Sequence, residues 1–296
     1  MQQFEVKTGY ACNNNCIFCL NQNKKYYKAF PLDDIFRYIR QAASRGCWQL
    51  IISGGEPLIS PHFFDILDYA RGCGFRKIDI QTNARMLCYE AFVEKMLRIG
   101  PLKYYFLVSL HFPDKRLHNF YTRAEGFDET IAGIKNLARK NLGLMLNTVI
   151  MKQNLKLLED ITAFGRSLGA KRHQLRMIDS NLLKGLFHDF VPTMRDAARE
   201  VRAIISKSKG LTEFSVHEIP LCVLGEDMKE YLSPAVNPER KNLTIGNIVV
   251  ASDMIVKNQF SFSDCCEACR YRSACYGIRN EYGRRYGFAE LKPIRK

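Results

Sequence analysis

Three cysteines stand within eight residues near the N-terminus, in the run Cys12-Asn-Asn-Asn-Cys16-Ile-Phe-Cys19. A closed structural zinc site takes four ligands, usually as two short pairs, and neither a second pair nor a His pair accompanies these three. Three thiolates in one loop can instead hold three corners of a cubane iron–sulfur cluster and leave the fourth iron open to a small molecule. A zinc loop and a group of structural thiols are the alternative interpretations.

Strand-like and helix-like segments alternate from the N-terminus onward. Strands are predicted at 4–10, 48–53, 77–82, 104–110, 144–150 and 173–178, and helices at 32–44, 61–71, 89–97, 128–140 and 155–168. Such alternation predicts a parallel α/β sheet wound through right-handed crossovers. Six units are fewer than the eight of a closed barrel. We therefore predict a partial, open (β/α)6 TIM-like barrel.

A second motif, Gly54-Gly55-Glu56-Pro57, directly follows the second predicted strand. In barrels of this kind, the loops at the carboxyl ends of the strands build the active site. Glycines let the backbone approach a ligand closely, and exposed carbonyls together with Glu56 can meet an ammonium group. An ordinary strand-to-helix turn is the alternative, because glycines are common there.

The cysteine spacing, the Gly-Gly-Glu-Pro run and the six repeats together resemble the radical SAM superfamily. The resemblance implies that the open iron chelates S-adenosylmethionine (SAM), and that reductive cleavage of SAM gives a 5'-deoxyadenosyl radical. It makes Cys12, Cys16 and Cys19 the catalytic cluster ligands. The implied cofactor contacts are Phe18, Gly54, Gly55, Glu56, Pro57, Asn83, Ser109, His111, Asn147 and Arg176. For the polar residues at the strand ends, ordinary hydrogen bonding is the alternative role.

The C-terminal region has a second set of cysteines, Cys265-Cys266-Glu-Ala-Cys269 and Cys275, with Cys222 upstream. It resembles the auxiliary-cluster appendages called SPASM and Twitch. That resemblance implies a second 4Fe-4S cluster on Cys222, Cys266, Cys269 and Cys275, with Cys265 as the alternative to Cys266. Zinc on the same thiols is the competing interpretation. We predict two domains, a barrel at 1–210 and an auxiliary-cluster domain at 211–296.

The composition favours a cytoplasmic enzyme. The chain has 296 residues and eleven cysteines, and we find no secretion signal and no long apolar run, so reduced thiols and metal are expected rather than disulfides. The formal charge of +14 favours an acidic partner. Appendages of this kind imply a ribosomally made peptide as substrate, and the charge keeps a nucleotide or tRNA open. A reductant such as flavodoxin or ferredoxin is the expected partner. A non-catalytic metal- or RNA-binding module is the hypothesis from another class.

Overall fold

The computed structural model describes residues 3–21, 30–183, 185–233, 240–245, 248–251 and 258–295. Strands and helices alternate through the first two thirds of the chain, as the sequence predicts. The strands are β1 (Gln3–Lys7), β2 (Gln49–Ser53), β3 (Lys77–Thr82), β4 (Lys103–Ser109), β5 (Gly143–Ile150), β6 (Arg172–Met177), β7 (Glu213–His217), β8 (Arg240–Ile245) and β9 (Ile248–Ala251). The helices between them are α1 (Leu32–Ser44), α2 (Phe63–Gly72), α3 (Glu90–Leu97), α4 (Lys115–Thr122), α5 (Phe127–Arg139), α6 (Leu158–Ser167), α7 (Phe187–Phe190), α8 (Met194–Lys207) and α9 (Leu221–Leu224).

The sheet has the order β7-β6-β5-β4-β3-β2-β1-β8-β9, and strands β1 to β7 are all parallel. The fold is therefore the predicted partial α/β barrel, with seven parallel strands where the sequence indicated six. The seventh strand, β7, reads as a short segment in the accessory region because Glu213, Ser215 and His217 alternate with only two larger apolar residues. Strand β7 thus lies beyond residue 210, where we predict that the barrel domain ends. That domain boundary stays a prediction.

One face of the sheet is covered by helices and the other is open. Strands β3 to β6 alternate strictly between buried and partly exposed residues. The buried side packs under the helices in two apolar clusters, one around β1–β5 and one around β5–β7 with α6 and α8. The other side lines a lumen with a cavity of about 760 Å³. Among the described strands, β7 and β9 do not pair with each other, so the sheet is that of an open barrel.

The C-terminal region is made of short elements. They are the antiparallel pair β10 (Phe260–Ser261) and β11 (Ile278–Arg279), two 3-10 turns (Asp264–Ala268 and Arg272–Ala274) and helix α10 (Asn280–Tyr286). Tyr282 of α10 is buried, and its hydroxyl accepts a hydrogen bond from the Met194 backbone N–H at 2.7 Å, which fixes the region to α8. No helix of the described residues has the length and apolar character needed to cross a membrane.

Candidate active site

The cysteine loop follows β1 and is joined by backbone hydrogen bonds to the end of β2. The Gly55 N–H donates to the Gly9 carbonyl at 2.9 Å, and the Glu56 N–H donates to the Ala11 carbonyl at 2.8 Å. On the far side of the loop, the Asn21 side-chain amide donates to the Gly54 carbonyl at 2.9 Å. The two sequence motifs are therefore in direct contact at the carboxyl edge of the sheet.

This contact requires glycine at two positions. A Cβ on Gly54, whose φ is +137°, would lie 2.3 Å from the Gly9 carbonyl oxygen. A Cβ on Gly55 would lie 2.1 Å from the Ala11 oxygen. Both clashing atoms are backbone oxygens, which cannot move away as a flexible side chain would. The loop can therefore pack this closely against β2 only because both residues are glycine.

The other side of the loop rests on the end of α4 and on the turn after β3. The Asn15 N–H donates to Thr122 O at 2.8 Å, and the Ile17 N–H donates to Tyr121 O at 3.0 Å. Asn83 donates to the Asn13 side chain at 2.7 Å, which places this predicted residue against the loop. Arg85 donates to Asn13 O at 2.6 Å and forms an ion pair with Glu129 of α5.

Sequence reasoning missed Arg85. Its one signal in the sequence was its position two residues after Asn83, in the turn that follows a barrel strand. The partner that holds it, Glu129, lies 44 residues away. No spacing rule links two residues that far apart, so only the packing of α5 beside the turn shows what Arg85 does.

The sulfur atoms of the loop receive backbone hydrogen bonds. The Asn14 N–H donates to Cys12 Sγ at 3.4 Å, and the Asn21 N–H donates to Cys19 Sγ at 3.3 Å. Hydrogen bonds of this kind stabilise negative charge on sulfur and tune iron–sulfur clusters. All three cysteines are partly exposed. The donor set and its surroundings thus fit a cluster that keeps one iron accessible.

Glu56 is buried, and its carboxylate is fully occupied by neighbouring groups of the protein. It accepts hydrogen bonds from the Leu58 N–H (3.0 Å), the Thr82 hydroxyl (2.7 Å) and the Asn83 N–H (2.7 Å). Burial raises its pKa to about 7, although these three donors pull the pKa down. The structure therefore gives Glu56 a role in tying β2 to β3, and Pro57 beside it begins a buried 3-10 turn (Pro57–Ile59). Whether it also contacts the cofactor stays a prediction.

Two further predicted pairs lie along the same edge. Phe18 packs edge-on against the His111 ring, with the ring centroids 4.8 Å apart. His111 is buried, which lowers its pKa to about 3, with smaller contributions from His118 and His173, and its Nδ1 accepts from the Val149 N–H at 3.3 Å. Because Nδ1 is an acceptor, the ring proton lies on Nε2.

The second pair is Ser109 and Asn147, which face each other across β4 and β5. The Asn147 side-chain oxygen, Oδ1, accepts from the Gln174 side-chain amide at 2.8 Å. Both are partly exposed on the lumen side of the sheet.

Arg176 lies apart from these pairs, in an ion network at the end of β6. Its Nε donates to Glu218 at 3.1 Å, and Glu218 also accepts from two nitrogens of Arg279 at 2.8 and 2.9 Å. Arg279 completes the network with Asp179 at 2.8 Å. Burial alone would raise the pKa of Glu218, but Arg176 and Arg279 outweigh it and hold that pKa at about 2. The network joins the barrel to the C-terminal region, because Arg176 belongs to β6 and Arg279 follows Cys275. Glu218, which pairs with both, precedes Cys222.

The structure brings Cys222, Cys266, Cys269 and Cys275 together. Burial, with smaller contributions from the neighbouring Cys275, Cys269 and Cys266, raises the pKa of Cys222 to about 11. The Gly277 N–H donates to Cys275 Sγ at 3.3 Å, as the loop N–H groups do at the first cysteine set. Cys265 is exposed, whereas Cys266 is partly buried, which favours Cys266 as the fourth member. Over the described residues, no three metal-ligating side chains converge on a single ion position.

Comparison with known proteins decides the family. Residues 6–164, more than half of the chain, match the radical SAM superfamily. The chain belongs to the radical SAM superfamily. It is a radical SAM enzyme, with a 4Fe-4S cluster and S-adenosylmethionine as cofactors.

Curated relatives of this radical SAM enzyme have different reactions. The AdoMet-dependent heme synthase of Methanosarcina barkeri is 33% identical over 162 residues, which cover 54% of this chain and 45% of that protein. The probable GTP 3',8-cyclase of Sulfurisphaera tokodaii is 24% identical over 242 residues, covering 80% of this chain and 74% of that one. The chain thus spans less than half the length of the first of these relatives.

Solved structures share the fold of this radical SAM enzyme. Streptococcus suis SuiB bound to its precursor peptide SuiA superposes with a TM-score of 0.60 at 20% identity, over 73% of this chain and 48% of SuiB. The enzyme anSMEcpe with bound AdoMet and a peptide gives a TM-score of 0.60 at 13% identity, over 70% of this chain and 59% of that one. At these identities the likeness concerns the fold.

Proposed function

We propose that this radical SAM enzyme matures a ribosomally made peptide. Cys12, Cys16 and Cys19 hold the cluster that binds SAM, and Gly54, Gly55 and the edge residues Asn83, Ser109, His111 and Asn147 border the cofactor. When bound, the cluster and SAM supply a 5'-deoxyadenosyl radical that removes a hydrogen atom from the substrate. The chain itself fixes the loop against β2 and α4, keeps His111 neutral and holds the edge residues in place.

The observation that carries this proposal is the joining of the two cysteine sets to one barrel edge. The Arg176–Glu218–Arg279 network connects the barrel edge to the four C-terminal thiols. We assign those thiols to an auxiliary 4Fe-4S cluster rather than to zinc, because the chain already belongs to a family of iron–sulfur enzymes. The proteins SuiB and anSMEcpe, both crystallised with peptides, support a peptide as the substrate class.

The lumen of the open barrel has room for part of such a peptide. Its 760 Å³ cavity is lined by both polar and apolar groups, among them Gln81, Leu107, Met145, Gln174 and His217. Mixed linings of this kind bind ligands that carry both kinds of surface.

The C-terminal tail interleaves Tyr with Arg residues, which in a nucleic-acid surface would be exposed. Tyr282 is buried against α8, and Arg284 and Arg285 both form ion pairs with Glu281, at 3.2 and 2.8 Å. An interleaved Tyr and Arg surface that stacks on bases needs exposed rings. This arrangement supports the peptide proposal over tRNA.

The second candidate is a nucleotide, because the GTP cyclase relative matches 80% of this chain, whereas the heme synthase matches 54%. A direct test compares two substrates. With dithionite under anaerobic conditions, we expect a synthetic peptide from a small reading frame beside the gene to increase 5'-deoxyadenosine release and to change in mass. If GTP increased 5'-deoxyadenosine release and no such peptide did, the substrate would be a nucleotide and not a peptide.

The assignment of the cluster loop has its own test. Replacing Cys12, Cys16 or Cys19 by Ala should abolish release of 5'-deoxyadenosine and methionine. Cys47→Ala is the matched control, because Cys47 is a partly buried thiol that packs against the core near α1. Unchanged release from a loop variant would show that these cysteines do not hold the cluster.

A further inference from the structure

The outer surface of α4 combines an exposed aromatic ring with cationic side chains. Phe120 is 64% exposed, although large aromatic side chains are usually covered. It lies in a surface depression of about 750 Å³ together with Lys115, Arg116 and Arg123. Two carboxylates share the depression: Asp114 caps the helix through the Leu117 N–H, and Glu125 accepts from Asn119. Lys115 forms an ion pair with Asp128, so Arg116 and Arg123 are the cations that the surface presents.

This surface is directly behind the cysteine loop. The carbonyls of Tyr121 and Thr122, the two residues after Phe120, accept the hydrogen bonds from Asn15 and Ile17, which flank Cys16. The Phe120 and Tyr121 rings are in edge-to-face contact at 5.0 Å. A protein bound on Phe120 would therefore be separated from the cluster loop by the last turn of one helix.

We propose that the surface formed by Phe120, Arg116, Arg123 and Lys115 is the docking site for an acidic, flavodoxin-type electron donor. This inference rests on the proposed function, which needs one electron for each SAM cleaved. The electron leaves the reduced flavin, which passes from hydroquinone to semiquinone, and enters the cluster held by the loop. It then goes to SAM, whose carbon–sulfur bond breaks to give methionine and the 5'-deoxyadenosyl radical.

Size and charge of the surface match such a partner. Complexes between electron-transfer proteins are small and short-lived, and complementary charge around an apolar centre governs how fast they form. Phe120 supplies the apolar centre, and Arg116 and Arg123 lie on either side of it in the sequence, four and three residues away. An overall charge of +14 attracts an acidic protein over a longer range.

The test compares two electron sources on the reconstituted enzyme. The variant Arg116→Glu/Arg123→Glu should lower the kcat/KM for reduced flavodoxin on the order of tenfold at low salt, and leave dithionite-driven SAM cleavage unchanged. Phe120→Ala should lower the flavodoxin rate in the same selective way. The control Arg98→Glu/Lys171→Glu carries the same charge change on exposed residues at the amino ends of the strands, away from the loop.

Calorimetric titration with flavodoxin gives a readout that does not depend on turnover. Binding should weaken in the α4 variants, more steeply than in the control, and the difference should shrink as salt is added. Equal effects of the two double variants on binding and on flavodoxin-driven cleavage would overturn the docking site. If the wild-type enzyme did not cleave SAM with dithionite, the result would instead contradict the proposed function.

Discussion

The two cysteine sets differ in what holds them before any metal binds. The loop at 12–19 contains buried Asn14, Ile17 and Phe18 and is fixed by backbone hydrogen bonds to β2 and α4. In the C-terminal set, no described residue between Ser261 and Tyr276 is buried, and the backbone runs through two short 3-10 turns. The barrel therefore builds the first site in advance, whereas the second has little apolar packing of its own.

This difference indicates where metal contributes to folding. A site that is formed by packing loses its metal without losing its structure, but a site without a core depends on ligation for its order. Two contacts with the rest of the protein fix the C-terminal region: Tyr282 packs against α8, and Arg279 pairs with Glu218. We expect these two attachments to remain when the cluster is absent, and the turns at 264–274, which precede both attachments in the chain, to open.

The largest expected effect comes from removing each cysteine set in turn. Changing Cys12, Cys16 and Cys19 to Ala should lower iron from about eight to about four per chain and leave hydrogen exchange at 264–276 as in the wild type. Changing Cys222, Cys266, Cys269 and Cys275 to Ser should also leave about four iron, but should expose 264–276 to rapid exchange and proteolysis. Stoichiometric zinc beside four iron in the wild type would contradict the auxiliary cluster.

A smaller effect is expected from the ion network. Arg279→Met removes a positive charge that balances the buried carboxylates of Glu218 and Asp179. The substitution should therefore lower the free energy of unfolding by about 3–5 kcal/mol. The control Lys207→Met removes an exposed ion pair with Glu159 and should leave the denaturation midpoint unchanged. A similar midpoint for both variants would mean that the network does not anchor the C-terminal region.

The preformed loop can be tested through its glycine contact. Gly55→Ala places a methyl group against the Ala11 carbonyl and should cost about 1–3 kcal/mol of stability while impairing SAM cleavage. Gly72→Ala is the matched control, since a Cβ at that helix end has no neighbour within 4 Å. If Gly55→Ala behaved like the control, the loop would not depend on this close approach.

The smallest effect at neutral pH comes from His111, whose contribution changes only in acid. His111 has a pKa of about 3 in the folded protein, below the ordinary value of 6.5, so the unfolded chain binds the proton first as pH falls. The stability that His111 contributes is complete above pH 6.5 and is lost as pH falls towards 3, by about 1.4 kcal/mol per pH unit.

Denaturant titrations of the cluster-free protein at several pH values measure that slope. His111→Gln should flatten it, and His62→Gln, at an exposed histidine, should not. Equal slopes in the wild type and His111→Gln would show that His111 is not held neutral.

The sequence by itself determined the chemistry of this protein. The spacing of Cys12, Cys16 and Cys19, the glycines after β2 and the strand–helix alternation are local patterns, and local patterns can be read without coordinates. They predicted the family, the partial barrel and both cysteine sets. The predicted residues Asn83 and His111 also lie where the sequence put them, because the carboxyl ends of parallel strands meet at one edge.

Tertiary structure decided what each side chain touches. That Glu56 is occupied by Thr82 and Asn83, that Arg85 is held by Glu129, and that Arg176 pairs with Glu218 all depend on contacts between residues 26 to 44 positions apart. The segment 212–217 is strand-like in the sequence but was assigned to the accessory region, because β7 is short and half polar and only its pairing with β6 makes it part of the sheet. Local sequence carries no record of such partners, since they meet only when the chain is packed.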